Sequence, residues 1–305
     1  MIVLTVDTGG NGIRTCEVEI DGQKCRALPE TLSESGPARS LEEWDAHLSR
    51  QIHAGLDGIS YAAAGVIEQN NKMLDWPNGH WLDGTELGTW TKDRYGLLTY
   101  VFNDMEAAAT GMAELTGEAN FLGVTFSSGW GARVFLNGRM VDSAAELGHL
   151  TVDYTPNALP CPCGKVGHYE GIFAGVNMRR EIHKLASRAN MPVPAGMEPG
   201  QYLDQMYAKN VIWAVAIYDW WSRGVGLWLA AIASSFPIDA VVYKGSQGKY
   251  MIPHCRPKIL EYATGGIIGG LEPRIERLRI METPGNILNE ESFVGAGICW
   301  NQTTW

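Results

Sequence analysis

The chain has 305 residues, of which 45% are hydrophobic and 19% charged, a globular composition far from that of a disordered chain. Its formal net charge of −10 comes from 24 basic and 34 acidic residues, and no lysine or arginine run offers the basic footprint of a nucleic-acid binder. Six cysteines, only two of them close together, argue against a disulfide framework and for a reducing, cytoplasmic setting.

The first predicted strand covers residues 2–6, an apolar run too short for a signal peptide, and ends in Asp7-Thr-Gly-Gly. A second strand over 13–20 stops at Asp21-Gly22, a hairpin signal. A helix is predicted over 41–53, opened by the capping pair Ser40 and Glu43, with Trp44, Leu48 and Ile52 on one face. Strands follow over 59–64 and 98–102, the latter running into Asn103-Asp104 and a small-residue helix over 105–115. The opening pattern then returns: a strand over 121–126, a glycine-rich turn over 127–131, a strand over 133–136 and the hairpin signal Asn137-Gly138. Two copies of one local design predict a duplicated fold in which each half offers a hairpin loop to one ligand. Helices are predicted over 171–189, 202–207 and 211–235, the last interrupted by glycine, and a strand over 240–243 leads into Lys244-Gly-Ser-Gln-Gly248. Asp219, Arg223 and several glycines break the most apolar stretch, which reads as a buried helix and not a membrane span. Strands alternating with helices indicate an α/β protein.

Chemistry-bearing residues cluster around Cys161-Pro-Cys163. His168 follows five residues on and His149 lies twelve residues upstream, so two thiols and two imidazoles can satisfy tetrahedral zinc. The alternative is a pair of reduced structural cysteines in a glycine loop. Asp104, after a strand and before a helix, is placed to take a proton from a hydroxyl; on the residues alone, a helix N-cap is the favoured reading of that position. Asp7-Thr-Gly-Gly-Asn-Gly12 can cradle phosphates or form a plain hairpin turn, and it fits neither the Walker nor the Rossmann pattern. Glu146 and Glu170 read singly as solvated acids and together as acceptors for sugar hydroxyls. Trp220 and Trp221 read as core.

Asp7-Thr-Gly-Gly, Trp76-Pro-Asn78, Phe102-Asn-Asp104, Ser128-Gly-Trp-Gly131, Glu146-Leu-Gly-His149, the segment from Cys161 to Glu170, and Val294-Gly-Ala296 follow one another in an order that resembles the ROK family of repressors, open reading frames and kinases. The cysteine segment joined to Glu-x-Gly-His is the most specific part of a likeness that spans nearly the whole chain. The resemblance implies an α/β, actin-like ATPase (ribonuclease H-like) sugar-kinase fold of two domains with an interdomain cleft. The small domain would cover 1–105, with a C-terminal helix over about 290–305 packing back on it, and the larger one 106–289. The implied activity is phosphorylation by ATP and Mg2+ of glucose or a close hexose, with O6 as the acceptor and Asp104 as general base. Asn78, Asn103, Glu146, His149 and Glu170 would hold the sugar. Asp7, Gly9, Gly10, Asn11, Ser128, Gly129 and Gly245 would face the nucleotide. His149, Cys161, Cys163 and His168 would hold a structural Zn2+, and the protein would be a homodimer.

Three departures from the family pattern bear on this reading. His168 stands where the last zinc ligand is usually Cys. Asn11 and Gly12 stand where Thr is followed by Lys or Asn, and Lys244-Gly-Ser246 replaces a Gly-Gly-Gly run near the adenosine. The alternatives are therefore a sugar-binding protein of this fold without catalysis, a kinase for an N-acetylhexosamine or fructose, and use of another donor such as polyphosphate. A DNA-binding repressor is not expected. Family repressors carry a helix-turn-helix module ahead of the first strand, which here begins at residue 2, and the acidic charge points the same way.

Overall fold

The computed structural model describes residues 1–9, 12–76 and 80–304, with the backbone alone for 142–145. Gly10, Asn11 and Asn78 thus lie outside the described residues. The chain forms two compact units, Met1–Glu118 with Thr283–Trp305, and Ala119–Glu282.

The first unit opens with β1 (Ile2–Gly9), β2 (Gly12–Asp21) and β3 (Lys24–Ser35), an antiparallel meander. Helix α1 (Leu41–Leu48) follows, and Ser40 accepts from the Glu43 N–H as its cap. It stops at Leu48 instead of continuing to residue 53: after the last helical bond, from the Ser49 N–H to the Asp45 carbonyl, the chain tightens into a turn in which the Gln51 N–H bonds the Leu48 carbonyl at 2.8 Å. Then come β4 (Gly58–Ala63), the small hairpin β5 (Val66–Glu68) and β6 (Lys72–Asp75), α2 (Leu87–Tyr95), β7 (Leu98–Asn103) and α3 (Asp104–Thr116). The sheet order is β3-β2-β1-β4-β7, with β1, β4 and β7 parallel. All six residues of β4 are buried, as a central parallel strand covered on both faces requires. One face packs on a cluster that includes Trp44, Tyr61 and Trp76.

The second unit repeats the plan. Its strands β8 (Phe121–Phe126), β9 (Trp130–Leu136) and β10 (Arg139–Ala145) form a meander, followed by a short 3-10 turn at Leu147–His149. Helices α4 (Tyr169–Phe173), α5 (Gly175–Arg188), α6 (Pro199–Ala208) and α7 (Ile212–Ser235) precede β11 (Ala240–Lys244). The unit ends with α8 (Ser246–Gly266), α9 (Glu272–Glu276) and β12 (Arg279–Glu282). Sheet order is β10-β9-β8-β11-β12, position for position that of the first sheet. Here the helices depart from the sequence expectation. The segment 171–189 breaks at Ala174, whose extended backbone separates α4 from α5. Helix α7 runs unbroken through Gly224, where the Phe173 ring occupies the space of a side chain. Trp221 is fully buried against Phe126 and Trp130. No helix among the described residues is long and apolar enough to cross a membrane, and all six cysteines are free.

The last helix, α10 (Glu290–Thr304), returns to the first unit. It covers the face of β2 that carries Cys16, Val18 and Ile20, and places Phe293, Val294 and Trp300 there. It also crosses α3 so closely that a Cβ on Gly295 would lie 1.7 Å from the Ala107 carbonyl oxygen, and one on Gly111 1.9 Å from that of Glu291. Gly295→Ala is therefore expected to cost about 3 kcal/mol through overpacking. The control Gly36→Ala, where nothing lies within 4 Å of the added atom, stays within about 0.5 kcal/mol of wild type. Urea midpoints compare the two, and equal midpoints would contradict the close crossing.

Candidate functional site

The cysteine loop is a tight backbone structure before it is anything else. The Cys161 N–H bonds the Lys165 carbonyl at 2.8 Å, and the Gly167 N–H bonds that of Leu159 at 2.9 Å. A bridge pairs Thr151 with His168, which carries His168 back to the turn bearing His149. That turn is fixed from behind by the Trp228 indole N–H, which donates to the Leu147 carbonyl at 2.9 Å. The outcome is one cluster: ligand atoms of His149, Cys161, Cys163 and His168 all lie within 4.8 Å of one another. Cys161 Sγ is 3.5 Å from His149 Nδ1, and Cys163 Sγ is 3.3 Å from His168 Nδ1. A tetrahedral zinc ion bound at about 2.3 Å from sulfur and about 2.0 Å from nitrogen sets that separation at about 3.5 Å, so the residues present fit the group. Burial, reinforced by the charge of Glu170, pushes the Cys161 thiol up to about 12. A cation that displaces its proton relieves that cost. Burial and neighbouring His149 hold His168 below its ordinary value, which keeps its ring neutral and able to ligate.

His149 faces two ways. While Nδ1 meets the thiol of Cys161, Nε2 lies 3.6 Å from Glu146 and 4.0 Å from Glu170. Glu146 holds a left-handed backbone (φ 57°), an uncommon state for a residue other than glycine and one that recurs at functional sites. Arg133, which the sequence analysis did not single out, sits 3.9 Å from the other oxygen of Glu146. Glu170 joins this group to the glycine-rich turn, because its Oε2 accepts the Trp130 backbone N–H at 2.9 Å. A Cβ on Gly129 would stand 2.9 Å from that same oxygen, so a side chain there would push the carboxylate aside. On the far side of the turn, buried Gln247 accepts from the Trp130 indole at 3.2 Å and donates to the Phe173 carbonyl at 2.8 Å. Trp130 and Gln247 each lie in a glycine-rich segment that the sequence marks, but nothing in the sequence pairs them, since their bond joins residues 117 positions apart.

Beside this turn lies a cavity of about 250 Å³, walled by Ser127, Ser128, Gly175, Ser246, Gln247 and Tyr250 among others. The wall from α8 begins at Ser246. Gly245 caps that helix, taking the Lys249 N–H on its carbonyl at 3.1 Å.

In the first unit, Thr8, Ala63 and Asn103 are in register. The end of β1 and the start of α3 therefore share the carboxyl edge of the parallel strands, where open α/β sheets bind ligands. Asn103 caps α3: its Oδ1 accepts from the N–H groups of Met105 and Glu106 at 3.0 and 3.2 Å, and its Nδ2 donates to the Gly65 carbonyl. The cap favoured for Asp104 on the residues alone is thus held by its neighbour, and Asp104, at the first helical position, accepts the N–H of Met105 on Oδ1 at 2.8 Å. Asp7 is buried, and its Oδ2 accepts from Asn289 Nδ2 at 2.7 Å. Asp75, His80 and Asp83 form a further exposed group close enough to share an ion, unmarked in the sequence analysis.

The ROK family profile matches residues 3–267. The chain is similar to the xylose repressor of Bacillus spizizenii, 29% identical over 124 residues, which is 38% of this chain and only 31% of that protein's length. It is similar to the N-acetylmannosamine kinase of Pasteurella multocida, 27% identical over 299 residues, 89% of this chain and 94% of that one. The fold matches the crystal structure of a ROK family glucokinase from Streptomyces griseus in complex with glucose and AMPPNP, with a TM-score of 0.79 at 21% identity, over 99% of this chain and 100% of that one. The architecture is accordingly the two-domain, actin-like ATPase fold.

Gln247→Leu leaves two buried polar groups unmatched and is expected to cost about 2 kcal/mol or more. Gln201→Leu, at an exposed position of the same cavity, is expected to change stability by about 0.5 kcal/mol at most. Equal urea midpoints for the two would show that Gln247 does not hold the turn.

Proposed function

The chain belongs to the ROK family, and on that footing we propose that it phosphorylates a hexose hydroxyl with ATP as donor. Glucose or a close relative, phosphorylated at O6, is the leading substrate. An N-acetylhexosamine, in keeping with the relative from Pasteurella multocida, and fructose are the alternatives. The observation that carries the reading is Asp104, a half-buried carboxylate at the carboxyl edge of the parallel strands whose helix is already capped by Asn103. In this reading the sugar hydroxyl oxygen bonds to the γ-phosphorus, its proton passes to Asp104, and the bond to the β-phosphate oxygen breaks to release ADP. Glu146, His149 and Glu170 accept from and donate to the sugar hydroxyls, with Asn78 and Asn103 as further contacts. Asp7, with the turn at Gly9, Gly10 and Asn11, serves the phosphates and their ion in the first unit, while Ser128, Gly129 and Gly245 serve the nucleotide in the second. Bound Mg2+ would neutralise phosphate charge. Zn2+, held by His149, Cys161, Cys163 and His168, would cross-link the loop. Ligation through Nδ1 leaves the His149 proton on Nε2, beside the carboxylates that orient the sugar. A cytoplasmic homodimer completes the proposal.

A second reading, a sugar-binding regulator without catalysis, draws on the match to a xylose repressor and on the missing side chain at Gly12.

A coupled assay across hexoses and donors tests both. Wild type is expected to transfer phosphate to at least one hexose, and Asp104→Asn to lower kcat by a factor of about 10² or more. Undiminished turnover in that variant would remove Asp104 as the base, and sugar binding without transfer from any donor would favour the regulator. Metal analysis is expected to find zinc in the purified wild type at one ion per chain, with affinity reduced at least about tenfold in His168→Ala. Unchanged retention in that variant would take His168 out of the site.

A further inference from the structure

The last helix opens on a residue whose side chain serves another element. The Asn289 carbonyl accepts from the N–H groups of Ser292 and Phe293 at 3.0 and 3.3 Å, which puts Asn289 at the cap position of α10. An asparagine there ordinarily turns its side chain onto the first N–H groups of the helix. This one instead donates from Nδ2 to Asp7 Oδ2 at 2.7 Å, the one bond of its side chain among the described residues. Its backbone is left-handed (φ 60°), where a cap residue is normally extended. The strained backbone and the forgone cap both direct the amide to Asp7.

The mount is rigid. Phe293 and Val294, one turn on, are buried in the core of the first unit, and Gly295 meets the backbone of α3. The loop leading in is fastened as well, because the carboxylate of buried Glu290 accepts the Asn286 N–H on Oε2. At the other end of the bond, Asp7 is buried at the end of β1, and Arg14 Nη1 stands 3.6 Å from the same Oδ2. Amide and guanidinium thus both act on Oδ2, which sets how the carboxylate is turned. A neutral amide orients a carboxylate without cancelling its charge, as a group that must meet a divalent ion requires.

We infer that Asn289 is a positioning residue for Asp7, holding its carboxylate ready for the divalent ion that accompanies the donor phosphates. The inference rests on the kinase reading for the identity of that ion and its phosphates, and on the bond to Asp7 for the orientation.

Wild type, Asn289→Gly and Asn289→Ser test it. Glycine adopts a left-handed backbone without strain and removes only the amide. Serine caps helices as well as asparagine does, but its side chain ends one bond short of the amide. Mn2+ binding beside a non-hydrolysable ATP analogue is followed by electron paramagnetic resonance, together with urea midpoints and steady-state kinetics. Asn289→Gly is expected to weaken Mn2+ at least about tenfold and to raise the Mg2+ needed for half-maximal rate by a similar factor. Its sugar KM stays within about twofold and its urea midpoint stays at the wild-type value. Asn289→Ser is expected to lose Mn2+ affinity to the same extent. Wild-type Mn2+ affinity in either variant overturns the assignment, as does a wild type that binds no Mn2+ beside the analogue. A lowered midpoint in Asn289→Gly with equal losses for sugar and ion also overturns it and leaves Asn289 a strut. Weakened Mn2+ binding in Asn289→Gly, with no phosphate transfer by the wild type, upholds Asn289 and sinks the kinase reading. Transfer by the wild type with Mn2+ affinity unchanged in the variant does the reverse.

Discussion

The Glu170 carboxylate takes a backbone N–H of the 127–131 turn on one oxygen and meets the Cys161 thiol and the His149 ring with the other. Two parts of the second unit that differ in chemistry, a cluster of soft ligands and a glycine-rich turn beside a cavity, are thereby given one geometry. Gln247 fixes the turn from the opposite side and forms part of the cavity wall. The turn is thus set before any ligand arrives, the condition under which donors and dipoles act at full strength on developing charge. It also follows that the cluster is not a remote staple: whatever orders Cys161 and His149 orders Glu170, and through it the turn.

The two sheets share one strand order but not one chemistry. In the second unit the hairpin backs onto a carboxylate that approaches Gly129; in the first it backs onto the Ser35 carbonyl that crowds Gly12. Each copy keeps a glycine at its turn, for a different neighbour. Topology sets where the loops emerge, and what they do depends on the residues beside them.

Much of this was legible in the sequence because it is local. Asp21-Gly22 and Asn137-Gly138 announced both meanders, and the spacing of Cys161, Cys163 and His168 announced a loop that gathers those side chains. What stayed hidden depends on tertiary contacts. Helix α8 escaped because Pro253 and Pro257, ordinary helix breakers, lie inside it. Gly224 read as an interruption of α7, and only the Phe173 ring against it shows why glycine stands there. Asn103 and Asp104 were equally good caps by type, and only the hydrogen bonds decide between them. Asn289 became visible only through its bond to Asp7, 282 positions away in the chain.

The first unit is discontinuous in sequence, and α10 supplies the cover for one face of its sheet. During synthesis that face, with Cys16, Val18 and Ile20, lacks this cover until α10 leaves the ribosome. The intervening unit is entirely made in that interval, which lasts roughly ten seconds or more at about 5–20 residues per second. The first unit is therefore completed only after the second has been made. Its apolar strands spend that time as the surface a chaperone would shield, and the second unit, contiguous in sequence, is free to fold ahead of it.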